Sequence, residues 1–373
     1  MSILPVNEDG AVLYYEDSGA PPGSKDYHTV FLIHGFIFHS AIFKRLFRHA
    51  PRYNLRFISV NAREYPGSTP LTDEELSRLM SRDPVEEALA LSTQGMEFAR
   101  FVKGIIELER FPRPRETTDE KTGKERRVGG VSILAWSLGN TYLLSLLGHL
   151  GSLSDDVNEV LEGYVRNAIV YDPPCPVYGT PPPRDAYIPL DDPTMPLEET
   201  AKAFVRWVST YWEPFSSLDD VSEAAVAAQR DVSTLAPPLC PASVEPAYVH
   251  KELRPTSCRM TREELASVIY PEVALRVGHP GHVTLSVYAS NANHSFFDTD
   301  GKLPKVKAIV LWADMSCAYC PWGAKVLSDQ LKEPPREGEV RRQVEIVKLE
   351  SANHFMHWDE PERFVKFLAE KTR

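Results

Sequence analysis

Long apolar runs are missing from this chain of 373 residues. No stretch of about 18 apolar residues occurs, so no transmembrane helix is expected. Met1 to Gly10 lacks the apolar core of a secretory signal, and Lys371-Thr372-Arg373 is not a peroxisomal address. Positive charge is also in short supply. Lys and Arg total 41 against 52 Asp and Glu, a formal net charge of −11. No basic stripe offers counterion release, which argues against a nucleic-acid partner. Cysteine is sparse: five residues, an odd number, do not make a secreted disulfide framework. Only Cys317 and Cys320 have suggestive spacing, C-A-Y-C. Without a second such pair a structural zinc site is not expected, and the plain reading is two thiols in a loop or first helical turn. These absences point to a soluble, cytoplasmic protein.

Ordinary globular content is present instead: 43% hydrophobic and 25% charged residues. That is enough chain for one large core or two medium ones. Its first half alternates strand-like and helix-like segments, which implies a mostly parallel sheet with helices on both faces. Strands are expected at Ala11–Glu16, Thr29–Ile33, Leu55–Val60, Gly130–Ala135 and Val165–Tyr171. Helices are expected at Ser40–His49, Leu138–Leu150 and Pro84–Arg110, where Pro84 suits a first turn. The charged stretch Phe111–Arg127 breaks the pattern and reads as a surface insertion. Glycine is scarcer than proline, 20 against 31, and over half of the prolines fall between residues 173 and 303. That span predicts helices at Leu197–Tyr211, Val221–Gln229 and Thr261–Val268, a short β-run at Leu275–Val277, and stiff connections. Alternation then resumes with Lys307–Trp312, Pro321–Leu331, Val344–Leu349 and Pro361–Lys371.

One pentapeptide carries chemistry: Ala135-Trp136-Ser137-Leu138-Gly139, placed between an expected strand and an expected helix. The pattern needs small residues two before and two after the serine, because the backbone is strained there and neighbouring chains approach closely. Such a turn lifts the serine oxygen out of the sheet and sets it at a helix N-terminus, which favours negative charge.

Several ordered features now resemble the α/β-hydrolase superfamily. They are His34-Gly35-Phe36 after a buried strand, the turn Tyr65-Pro66-Gly67-Ser68, the elbow at Ser137, and Asn353-His354 followed by Pro361-Glu362-Arg363-Phe364. The resemblance implies that His354 is the general base for Ser137, with His357 its near neighbour. It implies oxyanion donors in the backbone N–H groups of Phe36 and Leu138, and a turn-stabilising role for His34. His39 and His294 read as surface or capping residues. The acid departs from the common pattern. Trp312-Ala313-Asp314-Met315-Ser316 places a serine at the usual position, with Asp314 two residues early. Asp172, in Tyr171-Asp172-Pro173-Pro174, resembles a variant with the acid after the sixth strand. Either Asp172 or Asp314 then completes the triad, and the choice stays open.

The resemblance further implies a core of residues 1–172 and 304–373, with a mainly helical cap, 173–303, inserted after the sixth strand. Trp207 and Tyr211 from the cap, with Phe38 and Trp136, are expected to contact a hydrophobic small-molecule substrate. The expected chemistry is hydrolysis of an ester, lactone or acyl thioester through an acyl-enzyme, with no metal and no cofactor. A C–C bond hydrolase, lyase or cyclase, or a non-catalytic receptor, would share the same fold.

Overall fold

A computed structural model describes residues 2–118, 123, 125–229, 253–277, 283–299 and 301–372. Cys240 lies outside them. Eight strands form one sheet: β1 (Ser2–Pro5), β2 (Val12–Asp17), β3 (His28–Ile33), β4 (Leu55–Val60), β5 (Val131–Trp136), β6 (Val165–Tyr171), β7 (Lys307–Ala313) and β8 (Val344–Leu349). Their order is β1-β2-β4-β3-β5-β6-β7-β8. β2 runs antiparallel to β1 and β4, and every other neighbouring pair is parallel.

The apolar runs explain this arrangement. All residues of β3, β4, β5 and β6 are buried, as strands covered on both faces must be. The covering helices include α1 (Pro84–Glu109), α2 (Asn140–Gly148), α5 (Tyr319–Lys332) and α6 (Pro361–Lys371), while α3 (Leu197–Val208) and α4 (Leu285–Phe296) belong to the span between β6 and β7. Asp83 caps α1 by accepting from Val85 N, with Pro84 in the first turn, where a missing N–H costs nothing. Strand order reverses between β3 and β5, and a crevice opens beyond the carboxyl ends of the strands at such a point. His34, Ser137, Asp172, Asp314 and His354 all follow strand ends on this rim.

Several segments differ from the sequence reading. Leu275–Val277 is the last turn of a helix, Glu272–Val277, because three residues fit either period. Phe111–Arg127 contains a two-stranded hairpin, Arg115–Thr118 with Glu125–Val128. Helix α2 begins at Asn140, after a tight turn over Ser137–Gly139. Helix α4, within the span read as cap, lies on α2: Ser295 Oγ donates to Leu144 O at 2.9 Å.

The rest of the span between β6 and β7 crosses the rim. Its helices include α3, Glu223–Ala228, Thr256–Arg259, Arg262–Ala266 and Glu272–Val277. Backbone bonds tie it down: Tyr270 N to Ile37 O (2.6 Å), Trp212 N to Met315 O (2.9 Å) and Phe215 N to Asp314 O (3.0 Å). Asn353 Nδ2 also donates to Ser209 O at 2.9 Å.

Helices α1 and α2 meet at Gly95, where a Cβ would lie 2.7 Å from Leu146 N and 2.8 Å from Ser145 C. Ser145 Oγ donates to Leu91 O across the same contact at 2.8 Å. Gly95→Ala is therefore expected to destabilise the protein by about 1–3 kcal/mol in denaturant unfolding, although alanine is the better helix former. A neutral or stabilising result would show that the two backbones do not approach this closely.

Candidate active site

Strand β5 delivers Ser137 with φ +56°, the left-handed region that L-residues rarely enter. Such a conformation costs about 1–3 kcal/mol and needs surrounding structure to hold it. Asn140 supplies part of that hold: its fully buried Nδ2 donates to Ser137 O (2.8 Å) and Tyr171 O (3.2 Å). Two glycines supply the space. A Cβ at Gly35 would lie 2.8 Å from Ser137 Cβ, and one at Gly139 would overlap the His34 carbonyl oxygen. Ala135, two residues before the serine, is fully buried. Ser137 itself remains part-exposed, in the turn that leads into α2.

The loop after β3 is pinned from below. Ala62 N donates to His34 Nε2 at 3.1 Å, so Nδ1 carries the proton and donates to Gly35 O at 2.8 Å. Burial pulls the His34 pKa down to about 3, so the ring is neutral. Tyr65 OH accepts from Ile37 N at 3.0 Å, and Ile37 has φ +67°. The turn after β4 thus holds the loop that carries Phe36, which packs edge-on against Phe204 of α3.

Asp172 and His354 meet at the far side of the elbow. His354 Nδ1 lies 2.6 Å from Asp172 Oδ2, with both residues buried. The carboxylate keeps the ring proton on Nδ1 and leaves the Nε2 lone pair available. Asp172 Oδ1 accepts from Ala313 N (3.0 Å), and Oδ2 also accepts from Ser316 Oγ (2.6 Å). The residue before the serine holds His354 by its backbone: Trp136 Nε1 donates to His354 O at 2.9 Å, and the two rings lie 4.9 Å apart.

Asp314 does other work. Its oxygens accept from Ser351 N (3.0 Å) and Ala352 N (3.1 Å), shaping the turn that leads to His354. The structure therefore brings Asp172, not Asp314, to the ring. His357 lies behind the elbow, 4.6 Å from the Trp136 ring, with Nδ1 3.3 Å from Tyr171 OH. Burial, reinforced by His354 beside it, holds its pKa well below the usual histidine value. His39 caps a short turn by accepting from Ala41 N, and His294 bonds Ser290 of its own helix.

The C-A-Y-C thiols sit against this pair. Cys317 Sγ and Cys320 Sγ are 3.8 Å apart, and Cys320 Sγ is 3.8 Å from His354 Nδ1. Burial pushes the Cys320 and Cys175 thiols well above their ordinary pKa, so both are protonated and unreactive. Asp172, Cys320 and His354 present donor atoms within 4.8 Å of one another. Two ligands of one tetrahedral ion would sit about 3.4 Å apart. The Asp172–His354 separation is a hydrogen-bond length instead, so the donor set does not fit a metal.

A cavity of about 90 Å³ opens beside Phe36 and Leu138, walled by aliphatic residues such as Leu91 and Val273 and by Thr141. Arg63 and Glu64 reach it already paired, with Glu97 (2.8 Å) and Arg276 (2.6 Å). The four expected substrate contacts lie away from its walls. Phe38 and Trp136 pack on each other and on Phe355 behind the elbow. Trp207 is buried against Trp212 and Tyr319, and Tyr211 OH donates to Asp359 Oδ2 at 2.8 Å. Large aromatics bury more area in each other than in an open pocket, so they build the local core. The sequence reading missed Ser316, Asn140 and Tyr171 as supports. Ser316 had a signal: it stands where the resembled family usually keeps its acid.

The pH dependence of stability follows from His357. Its folded pKa lies below the unfolded value, so the unfolded state takes up the proton first and stability falls as pH drops below about 6.5. Between pH 7 and pH 5, His357→Phe is expected to lose about 2 kcal/mol less than the wild type in urea unfolding. Equal losses would mean that His357 is charged in the folded protein.

Comparison with known proteins completes this picture. A comparison with curated proteins yields no match. Solved structures of similar shape include a proline iminopeptidase from Mycobacterium smegmatis, with TM-score 0.50, 12% identity, and 100% of this chain and 97% of that chain covered. An esterase from Exiguobacterium antarcticum gives TM-score 0.47 and 15% identity, covering 100% of this chain and 98% of that one. An epoxide hydrolase from Vigna radiata gives 0.48 and 13%, covering 99% and 96%. At these identities the likeness is one of fold. The model of the alpha/beta hydrolase family matches residues 30–367, nearly the whole chain, and the protein belongs to that family.

Proposed function

We propose that this protein is a serine hydrolase that cleaves an ester, lactone or acyl thioester of a small neutral molecule through an acyl-enzyme. One observation carries the reading: a buried Asp172–His354 pair at 2.6 Å, held by the residue that precedes a strained Ser137. In this reading His354 Nε2 takes the Ser137 proton as Oγ attacks the carbonyl carbon. Charge then builds on the carbonyl oxygen, and the N–H groups of Phe36 and Leu138 receive it. Each such donor is worth about 3 kcal/mol to the transition state. Asp172 stabilises the imidazolium without taking its proton. The imidazolium protonates the leaving alcohol or thiol, and water repeats the sequence to free the acid.

The cavity bears on the acyl group. About 150 Å³ holds a benzene ring, so about 90 Å³ accommodates three or four non-hydrogen atoms. Its ion pairs are internally satisfied and its other walls mix Leu and Val side chains with Phe36, Tyr65, Tyr142 and Tyr288, which favours a short neutral acyl chain. The segment between β6 and β7 acts as the cap that decides what reaches Ser137. A carboxylate-nucleophile reaction, as on an epoxide, is not compatible with serine at the elbow.

A fluorophosphonate is expected to label Ser137 at one equivalent by mass spectrometry, and Ser137→Ala to lose both label and hydrolysis. Full activity in Ser137→Ala would overturn the mechanism. Among p-nitrophenyl esters, kcat/KM is expected to peak at two to four acyl carbons and fall by at least about tenfold at eight. Asp172→Asn is expected to lower kcat by about 10⁴-fold, the cost of the wrong imidazole tautomer in a known triad. Asp314→Asn should instead cost about 1–3 kcal/mol of stability with a far smaller change in kcat. The reverse ranking would exchange their roles.

A further inference from the structure

Ser316 is a fully buried hydroxyl for which the reaction steps above have no task. It sits in the turn after β7, where its N–H closes back on Ala313 O at 3.2 Å. Its Oγ lies 2.6 Å from Asp172 Oδ2 and 3.5 Å from His354 Nδ1. Oδ2 is thus bracketed by two donors, the hydroxyl and the ring N–H. Two donors cannot bond each other, so the 3.5 Å approach of Oγ to Nδ1 is proximity across a shared acceptor. The other oxygen, Oδ1, faces Ala313 N at 3.0 Å.

A carboxylate at a strand end turns about its last torsion, and that torsion is broad. Ala313 N holds Oδ1, and the Ser316 hydroxyl adds a donor on Oδ2 beside the ring N–H, which narrows the turning of the whole carboxylate. Cys320 is a poor substitute, because a protonated sulfur is only a weak donor.

We infer that Ser316 is a positioning residue that locks the Asp172 carboxylate against His354. This role rests on reading His354 and Asp172 as part of a triad with Ser137.

The test uses the full chain. Ser316→Ala removes the hydroxyl with little change in volume. It is expected to lower kcat about tenfold with KM unchanged. A carboxylate with one donor fewer is more basic, so it holds the imidazolium more firmly. The acid limb of the kcat/KM profile is therefore expected to move up, by about half to one pH unit. The titratable groups around the ring are Tyr171 at the end of β6, Asp172 just after it, Cys320 on α5 and His357 in the next turn. A purely structural role would change stability and leave that limb in place. Ser316→Thr keeps the hydroxyl and is expected to restore the limb. Folding of each variant is checked by thermal unfolding. A folded Ser316→Ala with wild-type kcat and pH profile overturns the positioning role. Activity surviving in Ser137→Ala would instead show that the triad reading itself is wrong.

Discussion

A carboxylate with no solvent exposure is costly to hold unless its lone pairs are answered by donors. Asp172 is such a group. Its donors come from two places far from it in the chain: Ala313 and Ser316 around the end of β7, and His354 beyond β8. The rim of the sheet can close only when β6, β7 and β8 stand in register. The site therefore reports on the fold, and the fold is tied at the site.

A second constraint acts on the other side of the serine. Ser137 stays in a disfavoured conformation because its neighbours leave no alternative. Gly35 and Gly139 let two backbones touch, Asn140 ties the turn to β6, and Trp136 reaches across to His354. The same indole that packs on Phe38 and Phe355 carries the hydrogen bond to His354. Core packing and placement of the His354 ring are thus one arrangement. This is why Phe38 and Trp136, expected as substrate contacts, are buried in the protein itself.

Much of the framework was legible in the chain. Leu55–Val60 and Val165–Tyr171 are legible to the residue because buried parallel strands are rich in apolar and β-branched residues, and the half-buried edge strand Val344–Leu349 is legible from its Val and Ile residues. Helix α4 was not read, since Asn291 and Ser295 interrupt its apolar face. Both are buried, and the Ser295 hydroxyl is answered by Leu144 O on helix α2, a partner that exists only after packing. Leu275–Val277 failed for a different reason: three residues cannot reveal a period.

The site divides the same way. Strand–serine–helix spacing and the late Asn-His pair are local signals, so sequence alone marked Ser137 and His354. Which aspartate meets the ring was not local. Asp172 and Asp314 both follow buried strands, and each has a plausible second task. Only the tertiary structure separated them, by setting Asp314 on the amides of Ser351 and Ala352 and Asp172 at 2.6 Å from Nδ1. Sequence determined the elements and their order, because burial and backbone bonding follow from short-range pattern. Structure decided the partners, because a hydrogen bond between residues 182 positions apart depends on the register of the strands between them.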